Sequence, residues 1–238
     1  MRILITNDDG ISSPALKPLA EWARGLGEVT VIAPKVEQSG MSHAIDFQHP
    51  MEIKRVDLAD GVEAYSLDST PADCVRYGVL GMHRKYDLII SGINRGFNLG
   101  ADLVYSGTVG AIFEAARLDT PGIALSASVS GYVDAVAEMP RLWSEIEKRE
   151  LLSHNSWYNI NIPDAKGELS VTRQGGIFYT DRFVRTTGDL FVQEGEQACF
   201  DTDDLTVDID ATLAGCISVT PLLPTRTNLA VFEVLKNK

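Results

Sequence analysis

MRILITNDDG, Met1 to Gly10, decides how the rest of the chain is read. Ile3, Leu4 and Ile5 form an unbroken aliphatic run, the pattern of a strand buried on both faces. Asp8 and Asp9 stand where that run stops. Neighbouring side chains of a continuing strand point to opposite faces, so one of the two carboxylates would enter the core. The chain is therefore expected to turn at Asn7-Asp8-Asp9-Gly10. Such a turn brings two negative charges together, and like charges a few ångströms apart tend to share a proton or hold a cation. A plain turn with a helix cap is the ordinary reading of an isolated Asp-Asp-Gly. The remainder of the sequence favours the cation.

Strand and helix alternate beyond this segment. Leu16, Leu19, Ala20, Ala23 and Leu26 recur at helical spacing, with Ser13-Pro14 as the expected helix start and Pro18 expected to bend or delay it. Val29–Ala33 reads as a second strand ended by Pro34, and residues 51–67 as a hairpin turning at Asp60-Gly61. Thr70-Pro71-Ala72-Asp73 opens a helix with Val75, Val79 and Leu80 as its expected inner face. Leu88–Ser91 is a short buried strand, a glycine-rich loop leads into a helix near Thr108, and Gly122–Leu125 with a helix over 132–149 continues the alternation. The fold expected is an α/β, Rossmann-like, mostly parallel sheet with helices on both faces. After Trp157 strands dominate, around Asn159–Ile162, Leu169–Thr172, Ile177–Tyr179, Phe183–Arg185, Leu190–Gln193 and Cys216–Thr220, with Thr187-Gly188-Asp189 as a hairpin tip. The division expected is a catalytic core over 1–156 and a strand-rich part over 157–238 carrying dimerisation elements.

Bulk properties narrow the function. With 21 basic against 33 acidic residues the formal net charge is −12, which argues against binding long nucleic acids through their phosphates. No apolar run is long enough to span a bilayer. The chain starts directly in a strand, without the features of a secretory signal. Cys74, Cys199 and Cys216 are odd in number and widely spaced, as expected of reduced, mostly buried thiols in a cytoplasmic protein.

In an open parallel sheet, ligands bind beyond the carboxyl ends of the strands, where the strand order switches. Three strand exits carry oxygen ligands: Asp8 and Asp9 after the first strand, Gln38-Ser39-Gly40 and Ser42-His43 after the second, and Asn94 after Leu88–Ser91. Carboxylate, hydroxyl and amide oxygens without thiolate suit a hard cation such as Mg²⁺ or Mn²⁺. Ser106-Gly107-Thr108 lies just before Val109, Ile112, Phe113 and Ala116, which space like a helix. A helix start with two hydroxyls and open amides is a phosphate cradle, against the plainer reading that Ser106 and Thr108 only cap the helix. The loop lacks the lysine and spacing of a nucleoside-triphosphatase phosphate loop. His43 is a candidate proton donor or substrate contact, Asp102 is left open between supporting the loop and capping a turn, and Arg95 between substrate and solvent.

The chain resembles the SurE (survival protein) family of nucleotidases in ITNDDGISSP (Ile5 to Pro14), QSGMSHAI (Gln38 to Ile45), STPADCV (Ser69 to Val75) and Ser91 to Ala111, and more weakly in GCISVTPL (Gly215 to Leu222). It differs from the family at Glu37, where a basic or amide residue is usual, at Ala115, where glycine is usual, and at Leu190–Gly195, which lacks an aromatic cluster including Trp. The resemblance implies metal-dependent hydrolysis of nucleoside 5′- and 3′-monophosphates by metal-activated water. It implies one divalent ion per subunit, Mg²⁺ or Mn²⁺, on Asp8, Asp9, Ser39 and Asn94, in a cytoplasmic homodimer or tetramer joined through the C-terminal half. On this reading Asp8 and Asp9 are catalytic, Asp9 serving as ligand and general base together, and Asn94, Ser106, Gly107 and Thr108 hold phosphate. The alternatives are a phosphatase forming a covalent aspartyl-phosphate on Asp8, as in the haloacid-dehalogenase fold, where the aspartates stand two apart rather than adjacent, and a non-catalytic nucleotide-binding module.

Overall fold

The computed structural model describes residues 1–198 and 203–236. Cys199 lies outside them, whereas Cys74 is buried, Cys216 is partly buried, and both are free thiols.

Ile3, Leu4 and Ile5 sit in β1 (Arg2–Thr6), all fully buried. Ile3 and Ile5 enter one apolar layer and Leu4 the other, as a strand covered on both faces requires. The chain continues through α1 (Leu16–Ala23), β2 (Glu28–Pro34), β3 (Ile53–Val56), β4 (Glu63–Leu67), α2 (Pro71–Arg76), β5 (Leu88–Arg95), α3 (Gly107–Arg117) and β6 (Gly122–Ala127). Next come α4 (Met139–Lys148), α5 (Leu151–His154), β7 (Trp157–Ile162), β8 (Leu169–Val171), β9 (Tyr179–Arg185), β10 (Phe191–Gln197), α6 (Asp208–Leu213), β11 (Ile217–Pro221) and α7 (Leu229–Leu235).

Among the described residues the main sheet runs β3-β4-β2-β1-β5-β6-β7-β11-β8. From β4 to β7 the neighbours are parallel; β3 pairs antiparallel with β4, and β11 antiparallel with β7. The layer holding Ile3 and Ile5 is completed by Leu16, Leu19 and Ala20 of α1 and by Leu142 and Ile146 of α4. The layer holding Leu4 is completed by Cys74 and Val75 of α2 and by Val109, Ile112 and Ala115 of α3. Each large aliphatic side chain buried this way contributes about 1.5–3 kcal/mol. β1 lies between β2 and β5, so the chain leaves it on both sides. The switch in strand order, and with it the ligand crevice of such sheets, falls at the exits of β1 and β5.

Several local expectations change. The first helix starts at Leu16 with Ala15 at its N-cap, not at Ser13-Pro14; Pro18 falls in its first turn, where a missing N–H costs nothing. Leu80 is 46 % exposed, because α2 widens into a π turn over Tyr77–Gly81 and the helical stripe loses register there. The helix expected over 132–149 splits into a 3₁₀ turn (Asp134–Glu138) and α4, with Pro140 in the first α turn. Ile177 precedes β9 rather than lying in a strand of its own, and the hairpin tip at Thr187-Gly188-Asp189 is closed by Thr186 N–H donating to Leu190 O at 2.9 Å. The point 156/157 lies between α5 and β7. Beyond it β7, β11 and β8 extend the main sheet, whereas β9 and β10 form a separate antiparallel ribbon with almost every residue exposed.

Candidate active site

The turn after β1 is closed by Asn7, whose side chain donates to Gly10 O at 3.0 Å and accepts from Gly10 N at 3.1 Å. Asp8 and Asp9 are thereby fixed at the strand exit. The Asp8 carbonyl accepts from Gln38 N at 2.7 Å, which ties the Ser39 loop to the aspartate pair. Ser42 N donates to Tyr105 O at 3.0 Å and Ser42 Oγ to Val104 O at 2.7 Å, tying that loop to the one entering α3.

β5 is longer than expected and irregular. Its register against β6 slips between Ser91 and Asn94, around Gly92 at φ +134°. A Cβ on Gly92 would lie 2.2 Å from the Leu125 carbonyl oxygen, so the kink requires glycine. Bulges of this kind re-aim side chains beside active sites. Here the strand resumes with Asn94, which lines a cavity of about 280 Å³ together with Asp8, Ser39 and Ser106.

Asp8 is almost fully buried, and the start of α3 is built around it. Thr108 Oγ1 donates to Asp8 Oδ1 at 2.6 Å and Thr108 N to Oδ2 at 3.1 Å. Gly107 must approach closely as well: a Cβ there would lie 3.1 Å from Asp8 Cβ and 3.3 Å from Gln38 O. Ser106 caps α3, its Oγ accepting from Val109 N at 3.1 Å. Two amides expected to face phosphate are thus engaged within the protein, and the positive end of the helix dipole holds the Asp8 carboxylate instead. Burial pushes the Asp8 carboxyl up from its ordinary value, with the Thr108 bonds opposing and the Glu37 charge adding to the rise. Asp9 is less buried. Its Oδ2 accepts from Arg95 N at 3.2 Å, and burial together with the Asp8 charge pushes its carboxyl up to about 6.

The donor set fits a divalent cation. The Asp8 carboxylate, which resists ionisation, lines the cavity with the Ser39 hydroxyl and the Asn94 amide, whereas Asp9 stands next to it on the Arg95 amide, outside the cavity wall. Asn94 Nδ2 is anchored on Gly96 O at 2.8 Å, so the carbonyl oxygen is its free donor atom. Ser39 Oγ donates to Glu37 Oε1 at 2.6 Å, which turns its lone pairs into the available function. Among the described residues no group of three or more His, Cys, Asp or Glu side chains is placed to hold a metal, so an ion here depends on neutral oxygens beside the two aspartates.

His43 stands apart from this cavity. It lines a larger neighbour of about 490 Å³ that shares Ser106 but has no carboxylate in its wall. Its Nε2 lies 2.8 Å from Glu114 Oε2, and Arg76 reaches Glu114 Oε1 at 2.9 Å. Burial alone would raise the Glu114 carboxyl, but the His43 and Arg76 bonds and the Arg117 charge hold it below the usual range. Sequence reasoning missed the grip of Thr108 on Asp8 and the aromatic wall of the smaller cavity, formed by Phe97, Tyr105, Phe178 and Tyr179. Asp102, left open above, accepts the amides of Phe178 and Tyr179 at 2.9 and 2.8 Å. Arg95 also lines the cavity.

Comparison with known proteins agrees with this architecture. The profile of the family described as survival protein SurE matches residues 3–181. A protein named 5′-nucleotidase SurE from Alkaliphilus metalliredigens (strain QYMF) is 38% identical over 251 residues, covering 100% of this chain and 98% of its own length. One of the same name from Thermoanaerobacter sp. (strain X514) is 35% identical over 247 residues, covering 100% and 98%. The crystal structure of the SurE protein from Aquifex aeolicus superposes with a TM-score of 0.80 at 33% identity, covering 100% of this chain and 99% of that one. No helix among the described residues is long and apolar enough to cross a membrane. A match that spans sheet, crevice and the loops around Asp8 alike places the chain in the survival protein SurE family.

Proposed function

We propose that the chain is a metal-dependent nucleotidase that hydrolyses nucleoside 5′- and 3′-monophosphates to nucleoside and phosphate. The observation that carries this reading is the convergence of Asp8, Ser39, Asn94 and Ser106 on one cavity, with Asp8 locked by Thr108. Its volume, about 280 Å³, is near the lower end of the range for small-molecule sites. The names of the relatives, 5′-nucleotidase SurE, support the 5′-monophosphate part of this substrate class.

Asp8, Asp9, Ser39 and Asn94 hold one Mg²⁺ or Mn²⁺ per subunit in this account. When bound, such an ion supplies Lewis acidity toward the phosphoryl group and toward water. Hydrolysis adds water across the P–O ester bond, OH to phosphorus and a proton to the nucleoside oxygen. Asp9 takes the proton from water, being less buried than Asp8 and held by a single amide. Arg95, the Ser106 hydroxyl and the Gly107 amide meet the phosphoryl oxygens as charge builds. Thr108 keeps Asp8 in place rather than touching phosphate.

The account includes a homodimer, with a tetramer as the next closed assembly. α7 has no buried residue, Phe232 being 50% exposed and Leu235 59%, and the β9–β10 ribbon leaves Phe183 73% and Leu190 67% exposed. Apolar surface of that extent calls for a partner, and two-fold association is the commonest solution. The free thiols Cys74 and Cys216 suit a reducing compartment, the cytoplasm. Phosphate release from a panel of 5′- and 3′-mononucleotides, with and without chelator, tests the reading. Release from both series only when metal is present is expected; release that survives chelation, or none from any mononucleotide, overturns it.

A further inference from the structure

The reaction proposed above uses the carboxylate side of the smaller cavity and leaves its aromatic side without a task. Phe178 is 3% exposed and forms a small core with Leu99 and Ile209, against which Phe97 packs. Tyr179 stands edge-on to Phe178, ring centroids 4.8 Å apart. Tyr179 and Tyr105 remain 44% and 60% exposed; Tyr179 rests on the buried Phe178, and both tyrosines keep surface free on the cavity. Exposed tyrosine faces beside a buried support are suited to stacking a flat ring.

The support is tied to the catalytic loop. Asp102 Oδ2 accepts from both Phe178 N and Tyr179 N, and Ala101 N donates to Gly176 O at 2.7 Å. The buried Asp208 carboxylate accepts from Gly100 N at 3.0 Å and from Gly175 N at 2.8 Å, bracing the same two segments. Tyr179 is therefore positioned by the loop that leads into α3, although it opens the exposed ribbon. Charge also orients an occupant. Asp102 and Asp181 line the aromatic side and repel a phosphate dianion, whereas Arg95 and Ser106 favour it and an uncharged ring is indifferent to both acids.

We propose that Tyr105 and Tyr179 stack the nucleobase of the substrate and that Asp102 is the positioning residue that fixes Tyr179 for it. The proposal rests on the nucleotidase reading. The test compares kcat/KM for a nucleoside 5′-monophosphate with that for ribose 5-phosphate, which carries the same phosphate and sugar without a base. Base–aromatic stacking contributes enough that its loss costs about 5- to 150-fold. Tyr179→Ala should lower the nucleotide-to-ribose-phosphate ratio by about tenfold or more, chiefly through KM, while Tyr179→Phe keeps it. Asp102→Ala should lower the same ratio and Asp102→Asn, which retains an acceptor oxygen, should restore part of it; a merely structural role would lower Tm and leave the ratio alone. An unchanged ratio in both Tyr179→Ala and Tyr105→Ala overturns the proposal. If the unmutated protein hydrolyses neither substrate, the nucleotidase reading fails on its own. Calorimetric titration with the nucleoside monophosphate then decides the slot: weaker binding by Tyr179→Ala supports it, and equal binding or none by the unmutated protein overturns it.

Discussion

Replacing Asp9 by Asn should stabilise the metal-free protein at pH 8 while abolishing its activity. The Asp9 carboxyl is pushed from its ordinary 3.8 up to about 6, first by burial and then by the Asp8 charge. A folded-state value raised above the unfolded one means that the folded protein binds the proton more tightly. The associated stability is fully present below about pH 4 and is lost as pH rises through about 6. That rise from 3.8 to about 6 corresponds to about 3 kcal/mol, or about 2 kcal/mol once solvent screening of a partly exposed group is allowed for. Asparagine mimics the protonated acid at every pH and keeps an oxygen for the Arg95 amide, now 3.2 Å from Oδ2. Urea denaturation in chelator should therefore give curves that coincide near pH 4 and a variant more stable by about 2 kcal/mol at pH 8. Mn²⁺ at about a hundred times its Kd should add about 2.7 kcal/mol to the unmutated protein and far less to the variant. Equal stability of the two metal-free proteins at pH 8, or equal stabilisation of both by Mn²⁺, would refute the reasoning.

Gly107→Ala sets its new methyl against Asp8 and Gln38. Tm should change by the equivalent of no more than about 1 kcal/mol, while kcat/KM falls on the order of tenfold or more because Asp8 is displaced; wild-type kinetics would show that the approach carries no function. Ser106→Ala removes the cap on Val109 N and should cost about 1 kcal/mol in denaturation, and inhibition by free phosphate should weaken. Unchanged phosphate inhibition assigns Ser106 to capping alone. Light scattering at low micromolar concentration should give at least a dimer, and removal of residues after 227 should shift it toward monomer; a monomer mass for the full chain contradicts the assembly.

Much of the architecture was legible in the sequence because it rests on local signals. Ile3-Leu4-Ile5 stopped by Asn7-Asp8-Asp9-Gly10 announces a two-sided buried strand and a turn, and both are present. The turn at Asp60-Gly61 was readable in the same way, Gly61 having φ +69°. What escaped depends on tertiary placement. A π turn is invisible to 3.6-residue periodicity, which places Leu80 inside although the turn carries it to the surface. α7 is seven residues long with Glu233 alone polar, too short and too uniform to present a stripe, and α6 is only six residues long. In the site, the residues at strand exits could be gathered from topology alone, and Asp8, Ser39 and Asn94 do meet on one cavity. That Thr108 would turn to Asp8, 100 positions away, has no local signature. The aromatic wall likewise brings Phe97, packed on the Phe178 cluster, and Asp102, bonded to the Phe178 and Tyr179 amides, together across some 80 residues of sequence.

The most direct measurement is Mn²⁺ binding followed by electron paramagnetic resonance, with phosphate release from a nucleoside 5′-monophosphate assayed in the same samples. One bound ion per chain, release rising in proportion to occupancy, and loss of both in Asp8→Asn are the results expected. Undiminished release from a fully chelated sample, or full Mn²⁺ binding by Asp8→Asn, would contradict the account.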